Sequence, residues 1–395
     1  MARRVFITGF GIISAIGNGV EETLASLTER KSGIGQVSFL KTSLSCFPVA
    51  EIRTDSDGLA RLAGIPLSPV HSRTFLLGLI AAREAVRMSG CEGLCSSMGM
   101  IGSTTVAGID QSDRYYRRLL CGEATHKDKI PSFECADSTE LIADFFGITH
   151  HVTTISTACS SSANAIMNGA RMIKCGVADR MLVGGSDSLS RFSMNGFNAL
   201  EILSPTGCRP FDNDRNGITP GEGAAFLVLE AEEMVGSRTV YGEVSGYSNC
   251  NEAFHQTASL PDGTGAFLSI SKALQSASIE ASEIDYVNAH GTGTKVNDLS
   301  EGRALKTVFG KEMPLFSSTK GYTGHPFAAA GAMEAVFSLL SINHGLVFPN
   351  LAFETKMEEV DVVPVTQLCR RPIRRVLSNS FGFGGTDTTL IFSKV

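Results

Sequence analysis

The chain is poor in proline, with 13 prolines against 41 glycines in 395 residues. This composition excludes a proline-rich linker or a fibrous protein and indicates a folded, turn-rich chain. Hydrophobic residues make up 43% of the chain and charged residues 19%, so it can bury a large core. The length allows two or three domains, or equally one large α/β unit.

Basic charge and long apolar runs are also lacking. The formal net charge of −6 argues against a nucleic-acid binder, although a local basic patch is still allowed. No apolar run reaches the length needed to cross a bilayer. The N-terminal residues Met1–Gly9 run straight into a strand-like pattern, without the apolar stretch and cleavage site of a signal peptide. We therefore expect a cytoplasmic protein that binds neither nucleic acid nor membrane.

The ten cysteines are scattered along a large chain, which does not resemble a disulfide framework. Cys91 and Cys95 have the spacing of half a zinc site, but no matching second pair follows. We expect no metal, and we expect most cysteines to be small buried hydrophobes in a reducing compartment.

Strand-like runs alternate with helical patterns in two series of similar length, the second beginning after about residue 236. This alternation predicts a mixed α/β fold with largely parallel sheets. Segments 39–69 and 110–131 are expected to be irregular excursions that form a surface cap. The predicted strands are Val5–Thr8, Met100–Gly102, Thr153–Ser156, Met181–Gly184, Val240–Gly246, Tyr286–Ala289, Leu315–Ser317, Val376–Asn379 and Thr388–Phe392. The predicted helices are Arg73–Arg87, Ala163–Cys175, Ala266–Ala277 and Ala328–Asn343.

Cys159 lies in the segment Ile155–Ser162, between a strand-like run and a helical pattern. This setting predicts a sulfur at a helix N-terminus, where unpaired N–H groups favour thiolate over thiol. The small neighbouring residues leave room for a substrate, and N–H groups of the turn could polarise a carbonyl. Because cysteine is often simply buried, this segment alone does not establish a nucleophile.

Two histidines lie on loops that each follow a predicted strand. His290 belongs to Asn288–Thr294 and His325 to Ser317–Pro326, and both segments are rich in small residues. Ligands of open α/β sheets gather at the carboxyl ends of strands, so these loops predict a convergent site with Cys159. Neutral imidazoles in such a site can donate hydrogen bonds to an oxyanion or transfer a proton.

A fourth loop, Asn379–Asp387, is rich in glycine and joins the last two predicted strands. It is not a phosphate-binding loop, because the expected lysine and helix do not follow. Together the four loops resemble those of the β-ketoacyl-acyl carrier protein synthases, the condensing enzymes of the thiolase superfamily. Further motifs of that family occur in the same order along almost the whole chain: Val5–Gly11, Gly184–Ser186, Arg209–Asp212 and Gly221–Ala224.

The resemblance implies a thiolase-like, five-layered αβαβα fold built from two pseudo-symmetric halves. Residues 1–238 would form the N-terminal half with the nucleophile and the cap insertions, and residues 239–395 the C-terminal half. The resemblance also implies a catalytic set. Its members are Cys159 as acyl-accepting nucleophile, the pair His290 and His325, the active-site lysine Lys320, the buried helix glutamate Glu334, and the gate residue Phe383, whose N–H joins that of Cys159 in an oxyanion hole.

By the same resemblance we expect an acyltransferase that catalyses a decarboxylative Claisen condensation. An acyl chain moves from a carrier-protein thioester to Cys159, and malonyl carrier protein then loses carbon dioxide. His290 and His325 would stabilise the resulting enolate, which attacks the acyl group and extends a fatty acyl, polyketide or polyene chain by two carbons. No cofactor is expected, because acyl chains arrive on the phosphopantetheine of acyl carrier protein.

The resemblance further implies partners and substrate contacts. A homodimer is expected, with a heterodimer containing a chain-length-factor-like subunit as the alternative. Carrier proteins of this pathway are acidic, so we expect a basic patch near the pocket mouth. The implied acyl-chain contacts are Thr292, Thr294, Phe197, Met194, Val106 and Phe381. The candidates for the basic patch are Arg73, Arg114, Arg117, Arg118, Lys127 and Lys129.

Several positions depart from the commonest pattern of the family. Ser156 replaces a frequent aspartate, Pro326 a common threonine, and Asp387 the usual asparagine after Gly-Gly-Thr. These departures indicate a specialised branch that could elongate an aryl or polyene chain. A thiolase would need a second cysteine in Ser380–Thr386, a non-catalytic chain-length partner would lack Cys159, and an initiating synthase would have asparagine in place of one histidine. A Cys-His hydrolase fits the residue types but not the order of the motifs.

Overall fold

The computed structural model describes residues 3–123 and 131–395. The first series of elements is β1 (Val5–Ser14), α1 (Val20–Thr28), α2 (Ser56–Ala63), α3 (Arg73–Ser89), β2 (Gly99–Ser103), α4 (Ile109–Leu120), α5 (Ala136–Phe146), β3 (His150–Ile155), α6 (Ser161–Lys174), β4 (Arg180–Asp187), α7 (Arg191–Ala199), β5 (Gly223–Ala231) and α8 (Glu232–Val235). The second series is β6 (Gly242–Asn251), α9 (Thr264–Ala277), β7 (Tyr286–Asn288), α10 (Lys295–Phe309), β8 (Leu315–Ser317), α11 (Lys320–Thr323), α12 (Ala330–His344), β9 (Leu346–Val347), β10 (Cys369–Arg370), β11 (Arg375–Gly382) and β12 (Thr386–Ser393).

The strands of the first series form a mixed half-sheet in the order β3-β2-β4-β5-β1. Strands β3, β2 and β4 are parallel, and β5 is antiparallel to both β4 and β1. Every residue of β1 and β5 is buried, so both faces of each strand are covered by other parts of the fold. Strand β3 is the outer edge, and its residues are exposed or half-buried.

The strands of the second series repeat this arrangement in the order β6-β12-β11-β7-β8, with β9 and β10 paired separately. Strands β11, β7 and β8 are parallel, and β12 is antiparallel to both β11 and β6. In each half the last strand lies between the first and the fourth, and the third strand forms the outer edge. The two halves therefore share one topology, which confirms the predicted thiolase-like fold with two pseudo-symmetric halves.

Helices cover the sheet in layers. The two halves meet where β1 pairs with β6, and α6 and α12 pack between them, while α3 and α9 cover the outer faces. Gly9 and Gly11 of β1 allow α3 to approach, because a Cβ at either glycine would lie 2.2 Å from a carbonyl oxygen of that helix. Helix α12 is buried from Ala330 to Ile342, as a middle layer requires. In the described part of the chain, no helix is both long and apolar enough to cross a membrane.

Two expectations about the fold are wrong, and some elements were not predicted. The sheet is not largely parallel, because the last strand of each series inserts antiparallel between earlier ones. The stretches 39–69 and 110–131 are not simply irregular, since they contain α2 and most of α4, and Leu59 and Ala63 of α2 are buried in the core cluster around α3. The sequence prediction also does not include β5, α7 and α10, although β5 contains the apolar run Ala224–Leu229.

Candidate active site

Four loops that follow strands meet around one cavity of about 560 Å³. Cys159 follows β3, His290 follows β7, His325 follows β8 and α11, and Phe383 lies between β11 and β12. All four residues line the cavity. The fold therefore brings together residues that are up to 224 positions apart in the chain, because both half-sheets direct these loops to the same side.

Cys159 lies two residues before α6 and directly after Ala158, whose φ of 50° is in the left-handed region. This turn places the N–H groups of Cys159 and Phe383 against the sulfur. Burial nevertheless raises the pKa of the Cys159 thiol to about 11, outweighing the Lys320 charge and the two N–H groups. The expectation of a resting thiolate is therefore wrong, and the side chain is a thiol at neutral pH.

Lys320 and Glu334 form a buried ion pair beside His290. The Lys320 Nζ also donates to the His290 carbonyl oxygen at 2.5 Å and lies 3.3 Å from His290 Nδ1. An ammonium group can only donate, so Nδ1 accepts and His290 carries its proton on Nε2. Burial and the Lys320 charge lower the pKa of His290 well below its ordinary value. The ring is therefore neutral and has one N–H donor.

Burial also raises the pKa of Glu334 to about 7, against the attraction of Lys320. Glu334 is held by Lys320 on one side and by the Ser380 hydroxyl, at 3.4 Å, on the other. The pair thus connects α12 to the His290 loop and to the strand that leads into the glycine-rich loop.

His325 is adjacent to His290, with ring centroids 5.4 Å apart. Its backbone is fixed by an N–H donated to the Thr219 carbonyl at 2.7 Å and a carbonyl that accepts from the Gly221 N–H at 2.9 Å. Neither ring nitrogen has a hydrogen-bond partner among the described residues. Burial and the Lys320 charge lower the pKa of His325, so this imidazole is also neutral. Both of its nitrogens are available to a bound molecule.

The loop that carries His290 is held by two buried carboxylates of α10. Glu301 accepts from the N–H groups of His290 at 2.9 Å and Gly291 at 2.8 Å, and Asp298 accepts from Thr292 N–H at 2.9 Å. Burial raises the pKa of Glu301 to about 7. Sequence reasoning did not identify either residue. The only signal was two acidic residues three positions apart in the first turns of a helix.

A third buried carboxylate, Asp187 at the end of β4, holds the loop after His325. It accepts from the Ala328 N–H at 2.8 Å and from the Thr105 N–H at 3.0 Å. Sequence reasoning quoted the preceding motif, Gly184–Ser186, but not this residue. The three carboxylates explain why loops without regular structure keep a fixed geometry.

Four of the six residues predicted to contact the acyl chain line the cavity: Thr292, Thr294, Phe197 and Phe381. The Phe197 ring stacks on Phe327 at 5.5 Å and meets the Phe383 ring edge-on at 6.3 Å. These three aromatic rings form one wall of the site. The Phe383 ring is therefore packed against Phe197.

Met194 and Val106, also predicted to contact the acyl chain, do not line this cavity. Met194 is fully buried behind the cavity wall, in a cluster with Leu203 and Phe327 against which Phe197 packs. The Val106 N–H is directed at Asp187, at 3.4 Å, beside the end of β4. In this conformation both residues lie apart from the space around Cys159.

The residues predicted to form a basic patch do not share one environment. Arg117 and Arg118 are exposed on α4, and Arg118 pairs with Glu123 at 3.1 Å. Arg73 is different, because Glu222 at 2.6 Å and two backbone carbonyls bind its guanidinium. Its charge is therefore neutralised within the fold and is not free to bind a partner. The prediction that Arg73 belongs to the basic patch is wrong, because this residue forms a structural ion pair. Lys127, Lys129 and the side chain of Arg114 lie outside the described residues.

Comparisons with known proteins agree with this geometry. Residues 2–234 match the family model for the β-ketoacyl synthase N-terminal domain, and residues 241–354 match its C-terminal domain. The chain is 32% identical to nodulation protein E of Rhizobium meliloti (strain 1021), covering 100% of both chains. It is 31% identical to 3-oxoacyl-[acyl-carrier-protein] synthase 2 of Vibrio harveyi, covering 100% of this chain and 99% of that one. A solved structure, the ishigamide ketosynthase/chain length factor, has a TM-score of 0.93 and 32% identity over 100% of each chain.

A thiolase-like fold and a cavity lined by a cysteine and two neutral histidines define a condensing enzyme. The chain belongs to the β-ketoacyl synthase family. The relatives confirm the predicted acyltransferase class and the predicted condensation of acyl groups.

Proposed function

We propose that this enzyme elongates an acyl chain held on Cys159 by decarboxylative condensation, with His290 and His325 binding the enolate. The convergence of one thiol, two neutral imidazoles and two N–H groups on a single cavity carries this proposal. We also propose a division of the chain at residues 238 and 239, with Cys159 supplied by one domain and the histidines by the other. No cofactor takes part, because the loss of carbon dioxide itself generates the carbanion.

The first half of the reaction is a transfer between thioesters. The carbonyl oxygen of the incoming thioester accepts from the N–H groups of Cys159 and Phe383 while sulfur attacks the carbonyl carbon. The old carbon–sulfur bond then breaks, and the sulfur of the carrier's pantetheine receives the proton that Cys159 loses. Because the resting group is a thiol, a base must move this proton, and His325 has unpartnered ring nitrogens in the same cavity.

The second half is carbon–carbon bond formation. The malonyl thioester binds with its carbonyl oxygen at His290 Nε2–H and at His325. The carbon–carbon bond to its carboxylate then breaks, which releases carbon dioxide. The electron pair left behind forms an enolate, whose oxygen these donors stabilise. The enolate carbon attacks the acyl carbon on Cys159, and the carbon–sulfur bond breaks. The released thiolate takes one proton from solvent, which balances the negative charge of the malonyl carboxylate.

Lys320 and Glu334 are positioning residues in this scheme. Lys320 fixes the tautomer of His290 through Nδ1, and its positive charge adds to burial in lowering the pKa of both imidazoles, which keeps them neutral. Glu334 neutralises that charge in the buried site, which an unpaired lysine could not occupy without a large desolvation cost.

A product assay tests the proposed function. The enzyme is incubated with malonyl carrier protein and a panel of acyl carrier proteins of different chain length and saturation. Mass spectrometry should find a β-ketoacyl product two carbons longer than the preferred acyl substrate, with release of carbon dioxide. Hydrolysis to a free acid without extension would instead support a Cys-His hydrolase.

The preferred substrate in this assay also decides between a housekeeping fatty-acid enzyme and a specialised branch. The relatives carry different names: nodulation protein E, 3-oxoacyl-[acyl-carrier-protein] synthase 2 and the ishigamide ketosynthase/chain length factor. The panel should therefore include aryl and polyene chains beside saturated ones. We propose that the enzyme acts within a pair of subunits. The exposed edge strand β3 and the similar ketosynthase/chain length factor support this assembly.

Charge reversal on α4 tests the contact with acyl carrier protein. Arg117 and Arg118 are exposed, and an acidic carrier would lose two attractive charges in Arg117→Glu/Arg118→Glu. We expect the KM for acyl carrier protein to rise about five-fold or more at low salt, with little change in kcat, because rim charges act on encounter. Initial rates at several carrier concentrations measure this effect.

The matched control is Arg370→Glu/Arg371→Glu, which makes the same change of net charge at two exposed residues near β10. This control should keep the wild-type KM. Equal KM values for the α4 variant and wild type would remove these arginines from the carrier surface.

A further inference from the structure

Two chain segments form the entrance side of the catalytic cavity and are bonded to each other. One is the glycine-rich loop with Phe383 and Gly385, and the other is the segment 251–262, which contributes Thr257, Ala258 and Ser259 to the lining. The Glu252 N–H donates to the Gly385 carbonyl at 2.8 Å, and the Gly384 N–H donates to the Gln256 carbonyl at 2.8 Å. The position of Phe383 therefore depends on how these two segments are held together.

A pair of carboxyl groups lies beneath this junction. Asp387 is only 2% exposed, and neither its Oδ2 nor the Oε1 of Glu252 has a hydrogen-bond donor among the described residues. Both oxygens point to the same place, since a Cβ at Gly265 would lie 2.5 Å from the first and 2.4 Å from the second. The other oxygen of Glu252 accepts from the Leu260 N–H at 2.9 Å, which fixes the orientation of its carboxyl group.

Ionised carboxylates only accept hydrogen bonds, so the two groups can bond to each other only when one of them holds a proton. We propose that Glu252 and Asp387 share one proton and that this carboxyl pair positions the Phe383 loop against Cys159. The asparagine that is common at position 387 in the family would donate at every pH. The carboxyl group found here donates only while it is protonated.

The surroundings of the pair favour the shared proton. Burial, followed by the nearby Glu252 and Glu301, raises the pKa of Asp387 to about 8, and burial raises the pKa of Glu252 as well. The other titratable groups that face the pair are Asp262, which adds negative charge, and the thiol of Cys250, opposite Asp387 on β6. In the part of the chain that the structure describes, neither carboxyl forms an ion pair with lysine, arginine or histidine.

The direction of the pH dependence follows from the raised pKa. Below about pH 8 the pair holds its proton, the two segments are joined, and the Phe383 N–H stays at the Cys159 sulfur. As the pH rises through about 8 the proton leaves, two buried negative charges repel, and the loop is released. The stabilisation that the pair gives the fold is complete below the ordinary aspartate pKa and is lost as the pH rises through the folded value.

A tryptophan reporter measures the position of the loop without any substrate. The chain contains no tryptophan, so Phe383→Trp introduces a single fluorophore at the cavity wall. We expect its emission maximum to shift to longer wavelength between pH 7 and pH 9, with a midpoint near 8, as the ring leaves Phe197 and meets water. Adding Asp387→Asn or Glu252→Gln should remove this transition, because an amide donor replaces the titrating proton.

The matched control is Phe383→Trp/Asp262→Asn, which removes a neighbouring exposed carboxylate and should keep the transition. A transition with the same midpoint in both the Asp387→Asn and the Glu252→Gln backgrounds would overturn the proposal. The absence of any transition in the Phe383→Trp protein would also overturn the proposal. None of these results depends on condensation activity, so the proposed function stands or falls separately.

The pH profile of condensation gives a second test, which rests on the proposed function. One pH unit above its pKa only about a tenth of the pair is protonated. We therefore expect the kcat/KM of Asp387→Asn, relative to wild type, to rise about ten-fold between pH 7 and pH 9. A constant ratio over this range would show that the pair has only a structural role.

Discussion

Cys159→Ala is expected to abolish acyl-enzyme formation and to reduce condensation to the background rate. Cys159 is the only cysteine that lines the cavity in the described part of the chain, so no other sulfur there can receive the acyl group. Loss of an enzyme nucleophile typically costs a factor of about 10⁴ to 10⁶ in rate. Intact-protein mass spectrometry after incubation with acyl carrier protein should show the added acyl mass in wild type and not in the variant.

The control for this prediction is Cys46→Ala, which removes an exposed cysteine and should acylate like wild type. Acylation of the Cys159→Ala protein, or a label that maps to another cysteine of the wild-type enzyme, would contradict the assignment of the nucleophile. The pH dependence of labelling adds a check on its state. Because the resting group is a thiol with a pKa of about 11, alkylation of Cys159 by iodoacetamide should keep accelerating above pH 9.

The sequence was sufficient to predict that Cys159, His290 and His325 lie in one site. Each residue follows a strand directly or after one short helical turn, and strand ends of an α/β sheet converge at one edge. The strand Leu315–Ser317 has the predicted bounds. Local patterns therefore predicted the reactive residues, because both the strands and the loops have strong local signals.

What the sequence could not supply is the set of contacts that holds those loops. Glu301 binds backbone N–H groups of the His290 loop, and Asp187 binds one in the loop after His325. These contacts form only when the chain folds. The partner of Glu334 was implied only by resemblance, since Lys320 is 14 residues away across a loop. A glutamate inside a buried helix must have a partner, but only the tertiary structure identifies it.

Two electrostatic expectations failed for the same reason. Arg73 was predicted to belong to a basic patch that an acidic carrier protein would contact, yet it is buried in an ion pair with Glu222, just before β5. The thiolate expected at Cys159 ignored desolvation, which exceeds the effect of the nearby N–H groups and of Lys320. In both cases the outcome depends on how much water the fold excludes, and this quantity is not encoded in any short motif.

His290→Ala and His325→Ala are each expected to reduce decarboxylation of malonyl carrier protein by a factor of about 10² to 10³, the usual cost of losing one oxyanion donor. Both rings are neutral donors in a buried cavity, and water in place of a lost imidazole would stabilise the enolate oxygen less well. For the same reason the wild-type rate should not fall as the pH rises through the ordinary imidazole pKa. Release of carbon dioxide from labelled malonyl carrier protein measures both effects.

Cys159→Ala separates this role from that of the nucleophile, because decarboxylation needs the enolate donors and not the sulfur. That variant should still release carbon dioxide while forming no acyl-enzyme. His290→Ala should show the opposite order of losses, and His325→Ala should slow acyl-enzyme formation as well, because His325 also moves the proton of Cys159. His344→Ala, at the exposed end of α12, is the matched control and should behave as wild type in both assays. Wild-type decarboxylation by His290→Ala and His325→Ala would show that the enolate is stabilised elsewhere. The two buried imidazoles, both held neutral by burial and by Lys320, would then need another role.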